Sequence, residues 1–312
     1  MTDILIIGAG TAGLTAAIYG TRAGHSVEVL EQRIHGGQII NTTSVENYPG
    51  MPGVSGAEFA GALYEQAVSL GAEIRYETVI RAELGGDVKR VYLESEQIKA
   101  AKSLIIATGA KPRKLDVPGE DRLLGAGVSY CATCDGAFHR GRDVVVVGGG
   151  NTAIDDAIVL AGLVRKVYLV HRRNEFRADA SAVKRLRRYE NVEFILSSQV
   201  EEIRGEIAVE SVVIYNQEED SRRDLSVSGV FIAAGHEPDN GLFADEITLS
   251  PEGYVVAGED CQTNLPGVFV AGDTRTKQVR QIVTAAADGA VAALAASSFL
   301  ATKAETGKEN ES

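Results

Sequence analysis

Short runs of consecutive apolar residues punctuate the chain, and each is followed by glycine. Residues 3–7 (DILII), 143–147 (DVVVV) and 166–170 (KVYLV) are too short for helices and predict strands. After the first run come a glycine-rich turn, Gly8 to Gly13, a helical stretch to about Arg22, a stop at Gly24 and a strand at 27–30 (VEVL). That is a βαβ opening. Residues 101–110 (AKSLIIATGA) predict another buried strand running into a Thr-Gly turn, and 111–121 (KPRKLDVPGED) read as an interdomain connection. A second βαβ unit comes next: strand 143–147, turn Gly148 to Ala153, a helix to about Leu160 and strand 166–170. Residues 229–234 (GVFIAA) and 266–273 (PGVFVAGD) repeat the strand-into-glycine pattern. The pattern predicts an α/β protein of two related domains, each with its own nucleotide, in which the chain leaves the second domain and returns to the first. The apolar stretch 282–301 contains Asp288, Ser, Thr and many alanines, so it reads as a packed helix rather than a membrane span. Residues 303–312 are polar and predict a frayed tail.

Composition narrows the function. A chain of 312 residues exceeds what one core usually organises, which agrees with two domains. A net charge of −12 argues against nucleic-acid binding, which depends on Lys and Arg neutralising phosphates. The 34 glycines form no collagen-like period and serve turns and close backbone approaches. Three cysteines do not make a disulfide scaffold, and no basic-then-apolar leader precedes Ile4, so a cytoplasmic protein is expected. A cysteine pair there is catalytic or metal-binding rather than structural.

The two glycine turns differ in the chemistry at the end of the next strand. Gly8, Gly10 and Gly13 match G-x-G-x-x-G, with Glu31 at the end of the next strand, where an acid binds ribose hydroxyls. Such glycines permit a tight turn, an approach to pyrophosphate and close helix packing, and the phosphates meet the helix N-terminus. Gly148, Gly150 and Ala153 match the G-x-G-x-x-A variant, but the next strand ends in His171-Arg172-Arg173, with Arg177 beyond. Guanidinium groups there select a 2′-phosphate, hence NADPH over NADH. Lys184, Arg185, Arg187 and Arg188 read as a solvated basic face.

Cys131-Ala132-Thr133-Cys134 is a C-x-x-C suited to thiol–disulfide exchange. A zinc site needs two more ligands; Cys261 is solitary and His139, the nearest histidine, is expected to face solvent. Asp135 is placed either to move the proton that exchange requires or merely to start a turn with Gly136. Cys261 is expected to be a buried small hydrophobe.

Together these features resemble the low-molecular-weight, bacterial-type thioredoxin reductases over almost the whole chain. The matching motifs, in order, are GAGTAG at the N-terminus, GGQ at 36–38, ENYPG at 46–50, ATGA at 107–110, CATCDG at 131–136, GGGNTA at 148–153, HRRNEFRA at 171–178, AGHEP at 234–238 and AGD at 271–273, with Arg280-Gln281 beyond. The resemblance implies two Rossmann-like, glutathione-reductase-like domains: an FAD domain (1–112 and 245–312) interrupted by an NADPH domain (117–241) that carries the C-x-x-C. It implies a homodimer and thioredoxin or a thioredoxin-like protein as partner, with no nucleic acid or membrane. By position it assigns FAD contacts to Gly8, Gly10, Ala12, Gly13, Glu31, Gly37, Gln38, Asn47, Val79, Thr108, Gly109, Gly272, Asp273, Arg280 and Gln281. It assigns NADPH contacts to Gly148, Gly150, Asn151, Thr152, His171, Arg172, Arg173, Arg177 and Gly235. Cys134 matches the thiol that exchanges electrons with the flavin, Cys131 the thiol that attacks the protein substrate, and Asp135 the general acid. The family alternates between two domain orientations, with 111–117 and 236–241 as candidate hinges here.

Three other readings stay open at this point: a same-fold reductase fed by ferredoxin or reduced flavin, a dithiol oxidase, and a non-enzymatic NADP sensor. None has much use for the second fingerprint, its arginines and the C-x-x-C together.

Overall fold

The structure, a computed structural model, describes residues 1–309 apart from Thr43, Glu46 and Pro52; Glu46 of the ENYPG run and the last three tail residues therefore lie outside the described residues. The chain forms two units, Met1–Lys111 with Glu237–Ser312, and Pro112–His236. Unit 1 opens with β1 (Thr2–Ile7), α1 (Thr11–Arg22), β2 (Val27–Glu31), α2 (Gly56–Ser69), β3 (Glu73–Tyr76), β4 (Val79–Glu83), β5 (Lys89–Leu93) and β6 (Ile98–Ile106). β7 (Ala110–Pro112) leads into unit 2, which holds β8 (Val128–Ser129), α3 (Ala132–Asp135), β9 (Asp143–Val147), α4 (Asn151–Ala161), β10 (Lys166–Val170), α5 (Ala180–Leu186), β11 (Val192–Ile195), β12 (Ser198–Arg204), β13 (Ser211–Asn216), β14 (Ser221–Ser226) and β15 (Gly229–Ile232). β16 (His236–Pro238) leads back, and β17 (Val268–Val270) and α6 (Ile282–Glu309) complete unit 1.

In unit 1, β3, β2, β1, β6 and β17 run parallel, and β5 and β4 extend the sheet antiparallel. β6 shares one edge between two partners: Ile98–Ala101 pair with β5, and Leu104–Ile106 pair with β17. β1 is apolar from Ile4 to Ile7 because the sheet buries both its faces there. Ile4, Ile6 and Val29 pack on one side with α1 and α6; Leu5, Ile7 and Leu30 pack on the other with Leu104 and Val270. A Cβ on Gly13 would lie 1.8 Å from the Gly8 carbonyl oxygen, so only glycine lets α1 start this close to β1.

Unit 2 repeats the plan with a parallel sheet in the order β11-β10-β9-β15-β8 and adds an antiparallel β12-β13-β14 sheet. β1 and β9 both sit where strand order reverses, the place where doubly wound sheets open a crevice at their strand C-termini.

Two expectations need correction. The tail expected to fray from 303 continues as α6 through Glu309; Lys303 pairs with Asp87, and the Thr306 hydroxyl donates to the Thr302 carbonyl, which extends the helix. His139 does not face solvent. The tight turn Gly136–His139 tucks its ring over Gly229, where a Cβ would fall 2.6 Å from it. Its Nδ1 lies 3.0 Å from the Ser228 hydroxyl, and Phe231 meets the ring edge-on.

Burial, helped by the Arg142 charge and opposed by Asp135, holds the His139 pKa below its ordinary value of 6.5. A histidine with a lowered folded-state pKa takes up its proton first in the unfolded chain, so its contribution is full above about pH 6.5 and is lost as pH falls below that. Denaturation midpoints measured from pH 8 to pH 5 are expected to fall below pH 6.5, with a shallower fall in His139→Asn. An identical slope in the variant would remove His139 as a cause.

Candidate functional site

The first helix turn of unit 1 is left open to a ligand. Gly10 caps α1 without a side-chain hydrogen bond, and no acid stands in the first turn, so the early N–H groups lack side-chain acceptors. Glu31 is fixed at the end of β2: its Oε2 accepts from the Ala9 N–H at 2.8 Å and its Oε1 from the Arg33 N–H at 3.0 Å. The Gly36 N–H donates to the Ala9 carbonyl at 2.7 Å, which lays Gly37 and Gln38 against the glycine turn. Thr108 and Gly109 follow β6, and Gly272 and Asp273 follow β17, at the same strand ends as Gly8. A Cβ on Gly272 would meet the Ala12 methyl at 2.8 Å, so these turns are in contact. The Asn47 amide donates to Gln281 Oε1 at 3.0 Å. Val79 starts β4 just beyond Glu77, whose N–H donates to the Glu31 carbonyl.

Three buried side-chain polar atoms in this unit have no hydrogen-bond partner among the described residues: Ser103 Oγ within β6, and Asp273 Oδ1 and Arg280 Nε beyond β17. Burial pushes Asp273 above the usual carboxylate range, although Lys277 and Arg280 pull the other way. Buried polar atoms without partners are rare, and an acceptor and a donor left open in one cradle suit a polyhydroxyl ligand.

Four residues that sequence reasoning did not assign hold this cradle. Asp288, on the buried face of α6, accepts from the Gly272 N–H at 3.1 Å, from Arg275 at 3.0 and 2.8 Å, and from Lys277 at 2.9 Å. Burial alone would raise its pKa, but the bonds from Arg275 and Lys277 outweigh this and hold it below the ordinary aspartate value. Asn240 accepts from Thr274 at 2.6 Å and Thr108 at 3.2 Å, tying two strand-end turns together. The one readable signal was Asp288 itself, a charge within an apolar helical stretch. Cys261 is buried beside it with Sγ 3.6 Å from the Asp288 carbonyl, and burial pushes its thiol up to about 11.

Unit 2 holds the cysteine pair. Cys131 and Cys134 form a disulfide across the start of α3. Ser129 connects it to the neighbouring acid: the hydroxyl donates to Asp135 Oδ2 at 2.5 Å and accepts from the Cys131 N–H at 3.0 Å. Gly136 leaves room for Leu160 of α4, since a Cβ there would fall 2.9 Å from that side chain. Upstream, the Tyr130 hydroxyl donates to buried Glu120 at 2.7 Å, and Glu120 also accepts from the Leu115 and Asp116 N–H groups. Burial first, and the Glu120 carboxylate second, raise the Tyr130 pKa well above the ordinary phenol.

The second glycine turn is also uncapped: Gly150 makes no side-chain bond to α4, and Thr152 is exposed at the helix start. A Cβ on Gly150 would meet nothing within 4 Å. Arg172, Arg173 and Arg177 are exposed at the end of β10, and no ion pair joins any of them to a carboxylate among the described residues. Arg165 and Arg185 nearby are paired, with Asp143 and Asp155. Gly235 stands beyond β15 and accepts from the Arg113 N–H at 2.9 Å.

Residues 2–289 match the model of the pyridine nucleotide-disulphide oxidoreductase family. The thioredoxin reductase of Peptoclostridium acidaminophilum is 42% identical over 305 residues, covering 96% of this chain and 96% of that protein. A bifunctional thioredoxin reductase/thioredoxin of Mycobacterium leprae (strain TN) is 42% identical over 311 residues, covering 99% of this chain and 68% of that one. The crystal structure of thioredoxin reductase from Streptococcus pyogenes MGAS5005 is 43% identical, with a TM-score of 0.92 and coverage of 97% and 99%. The chain belongs to the pyridine nucleotide-disulphide oxidoreductases and, within them, to the thioredoxin reductases. It is an NADPH-dependent flavoprotein disulfide oxidoreductase that uses FAD and NADPH.

Asp288→Asn is expected to leave Arg275 and Lys277 under-compensated in a buried site, destabilising unit 1 by about 3 kcal/mol or more. FAD retained after gel filtration, read by absorbance, should drop while the Cys131–Cys134 disulfide stays intact by thiol titration. Full FAD retention would show that the cluster does not hold the cradle.

Proposed function

We propose that unit 1 holds FAD, that unit 2 binds NADPH, and that Cys131 and Cys134 pass the electrons to thioredoxin. For FAD, the uncapped α1 turn suits a pyrophosphate, Glu31 a ribose, and the open Asp273 Oδ1 a ligand hydroxyl. Gly8, Gly10, Ala12, Gly13, Gly37, Gln38, Asn47, Val79, Thr108, Gly109, Gly272, Arg280 and Gln281 would complete that site. For NADPH, the uncapped α4 turn suits the pyrophosphate and the three unpaired arginines the 2′-phosphate. The observation that carries the reading is the disulfide standing in the same unit as those arginines.

FAD, when bound, relays the electron pair of NADPH to the disulfide. The protein's own steps are thiol chemistry. The Cys131 thiolate attacks one sulfur of the thioredoxin disulfide; a mixed disulfide forms and the other thioredoxin sulfur leaves as a thiol. The Cys134 thiolate then attacks Cys131 Sγ, which restores the Cys131–Cys134 disulfide and releases the second thioredoxin thiol. Two electrons and two protons pass to thioredoxin. Asp135, held by Ser129 beside the pair, moves the proton. The Mycobacterium leprae relative, named as reductase and thioredoxin in one protein, supports this partner.

The reading also takes the protein as a cytoplasmic homodimer that needs neither nucleic acid nor membrane. One face of α6 supports the dimer: Val283, Ala287, Ala290 and Leu294 fall on one stripe, and the first three line a groove of about 310 Å³ with Tyr19 and Leu63. Leu294 is 52% exposed and Val283 42%, a large apolar area for a solvated helix. Sedimentation is expected to give a dimer that Leu294→Asp weakens; a wild-type monomer at micromolar concentration would reject it.

The decisive experiment follows NADPH oxidation by absorbance with and without oxidised thioredoxin. Consumption is expected only with thioredoxin present, with NADH a poor substitute. Arg173→Ala should raise KM for NADPH by about 10-fold or more, the loss of a charged hydrogen-bond pair. Cys134→Ser should trap a mixed disulfide with thioredoxin through Cys131. Flavin that NADPH cannot bleach would refute the unit 2 assignment; bleaching without thioredoxin reduction would refute the partner.

A further inference from the structure

The segment after β10 forms an arch, residues 171–179, that is stitched to the glycine turn at 148–151. The Arg177 N–H donates to the Gly149 carbonyl at 2.8 Å. The His171 ring lies on Gly149, where a Cβ would fall 2.1 Å from it, and its Nε2 is 3.2 Å from the Glu175 carbonyl. Burial, opposed by the Glu175 carbonyl and helped by the three neighbouring arginines, lowers the His171 pKa, so the ring is a neutral spacer rather than a fourth cation. The last tie is a reciprocal pair: the Asp179 N–H donates to Asn151 Oδ1 at 2.8 Å, and Asn151 Nδ2 donates to Asp179 Oδ2 at 3.2 Å.

Asp179 is unusual in how it spends its side chain. It occupies the N-cap of α5, where aspartate ordinarily accepts from its own helix, yet it makes no capping bond. Its carboxylate turns instead to Asn151, the first residue of α4. A carboxylate beside three guanidiniums opposes phosphate binding by charge alone, so the contact needs a different rationale.

We propose that Asp179 is a positioning residue for NADPH. It clamps the arginine arch to the glycine turn and fixes the spacing between the pyrophosphate-facing N–H groups and the 2′-phosphate-facing guanidiniums before the ligand arrives. Preorganisation of this kind lowers the cost of ordering the arch on binding. A dinucleotide that uses both ends gains from it; NADH, which lacks the 2′-phosphate, gains little. Asp179 thereby contributes to the choice of NADPH over NADH. The inference rests on the assignment of NADPH to unit 2.

The test uses the FAD-loaded enzyme, so that the first dinucleotide site is filled, with 2′,5′-ADP as a calorimetric probe alongside KM for NADPH and NADH. Asp179→Ala is expected to weaken 2′,5′-ADP binding by about 3- to 10-fold, the range for one lost hydrogen bond. KM for NADPH should rise by a similar factor with kcat little changed, and KM for NADH should stay put. Asp179→Asn retains an oxygen that accepts from Asn151 and should bind 2′,5′-ADP at least as well as the parent. If both variants bind the probe more tightly, Asp179 acts by charge alone and the clamp is wrong. If Asp179→Ala weakens NADPH and NADH equally, the clamp sets no preference and the proposal fails. Arg173→Ala is the control: unchanged probe affinity there would overturn the NADPH assignment itself, whatever Asp179 does.

Discussion

The starts of α1 and α4 lack side-chain caps, as do those of α3 and α5, but only at α1 and α4 does a fingerprint glycine hold the cap position, and the proposed nucleotide binding depends on that deficit. The contrast is α2, where Ser55 and Glu58 form a reciprocal capping box. At α1 and α4 a glycine stands instead, and the N–H groups of the first turn wait for an external anion. The glycines also let each helix approach its strand closely. At Gly13 the approach is so tight that a methyl is excluded, whereas the equivalent Ala153 carries one and is fully buried.

From that shared plan the two units diverge by charge. In unit 1 the strand after the turn ends in Glu31, whose two oxygens are already anchored by backbone N–H groups. In unit 2 it ends in guanidiniums that no carboxylate pairs among the described residues, in a chain that is acidic overall. On the proposed assignment, local charge rather than net charge decides which nucleotide each cradle accepts. The disulfide lies in the second unit, joined through Ser129 to the acid that follows it.

Much of this was readable from the sequence, for a physical reason. β1, β9 and β10 are buried on both faces, so they appear as unbroken apolar runs, and the fingerprints lie within a few residues of them. β4, β5 and the β12–β14 sheet were not legible, because short strands such as KRVYL mix exposed and buried positions within five residues. The supporting side chains were illegible for another reason: their partners are far away in sequence. Thr108 and Asn240 are 132 residues apart, and Asn151 and Asp179 are 28 apart. His139 misled because a lone histidine beside a polar turn gives no hint that Gly229, on a distant strand, clears space for its ring.

The discontinuity of unit 1 has a consequence for how the protein is made. Unit 2 is a contiguous stretch that ends at His236, whereas unit 1 needs β17 and α6 from beyond it. Domains generally fold as units as the chain emerges from the ribosome. The inserted unit is therefore complete while the outer one still lacks a strand, its last helix and the carboxylate of Asp288. The half-built outer sheet must survive with Leu104–Ile106 of β6 unpaired on one edge until the last quarter of the chain arrives, and on the proposed assignment the flavin is captured firmly only after synthesis is nearly finished.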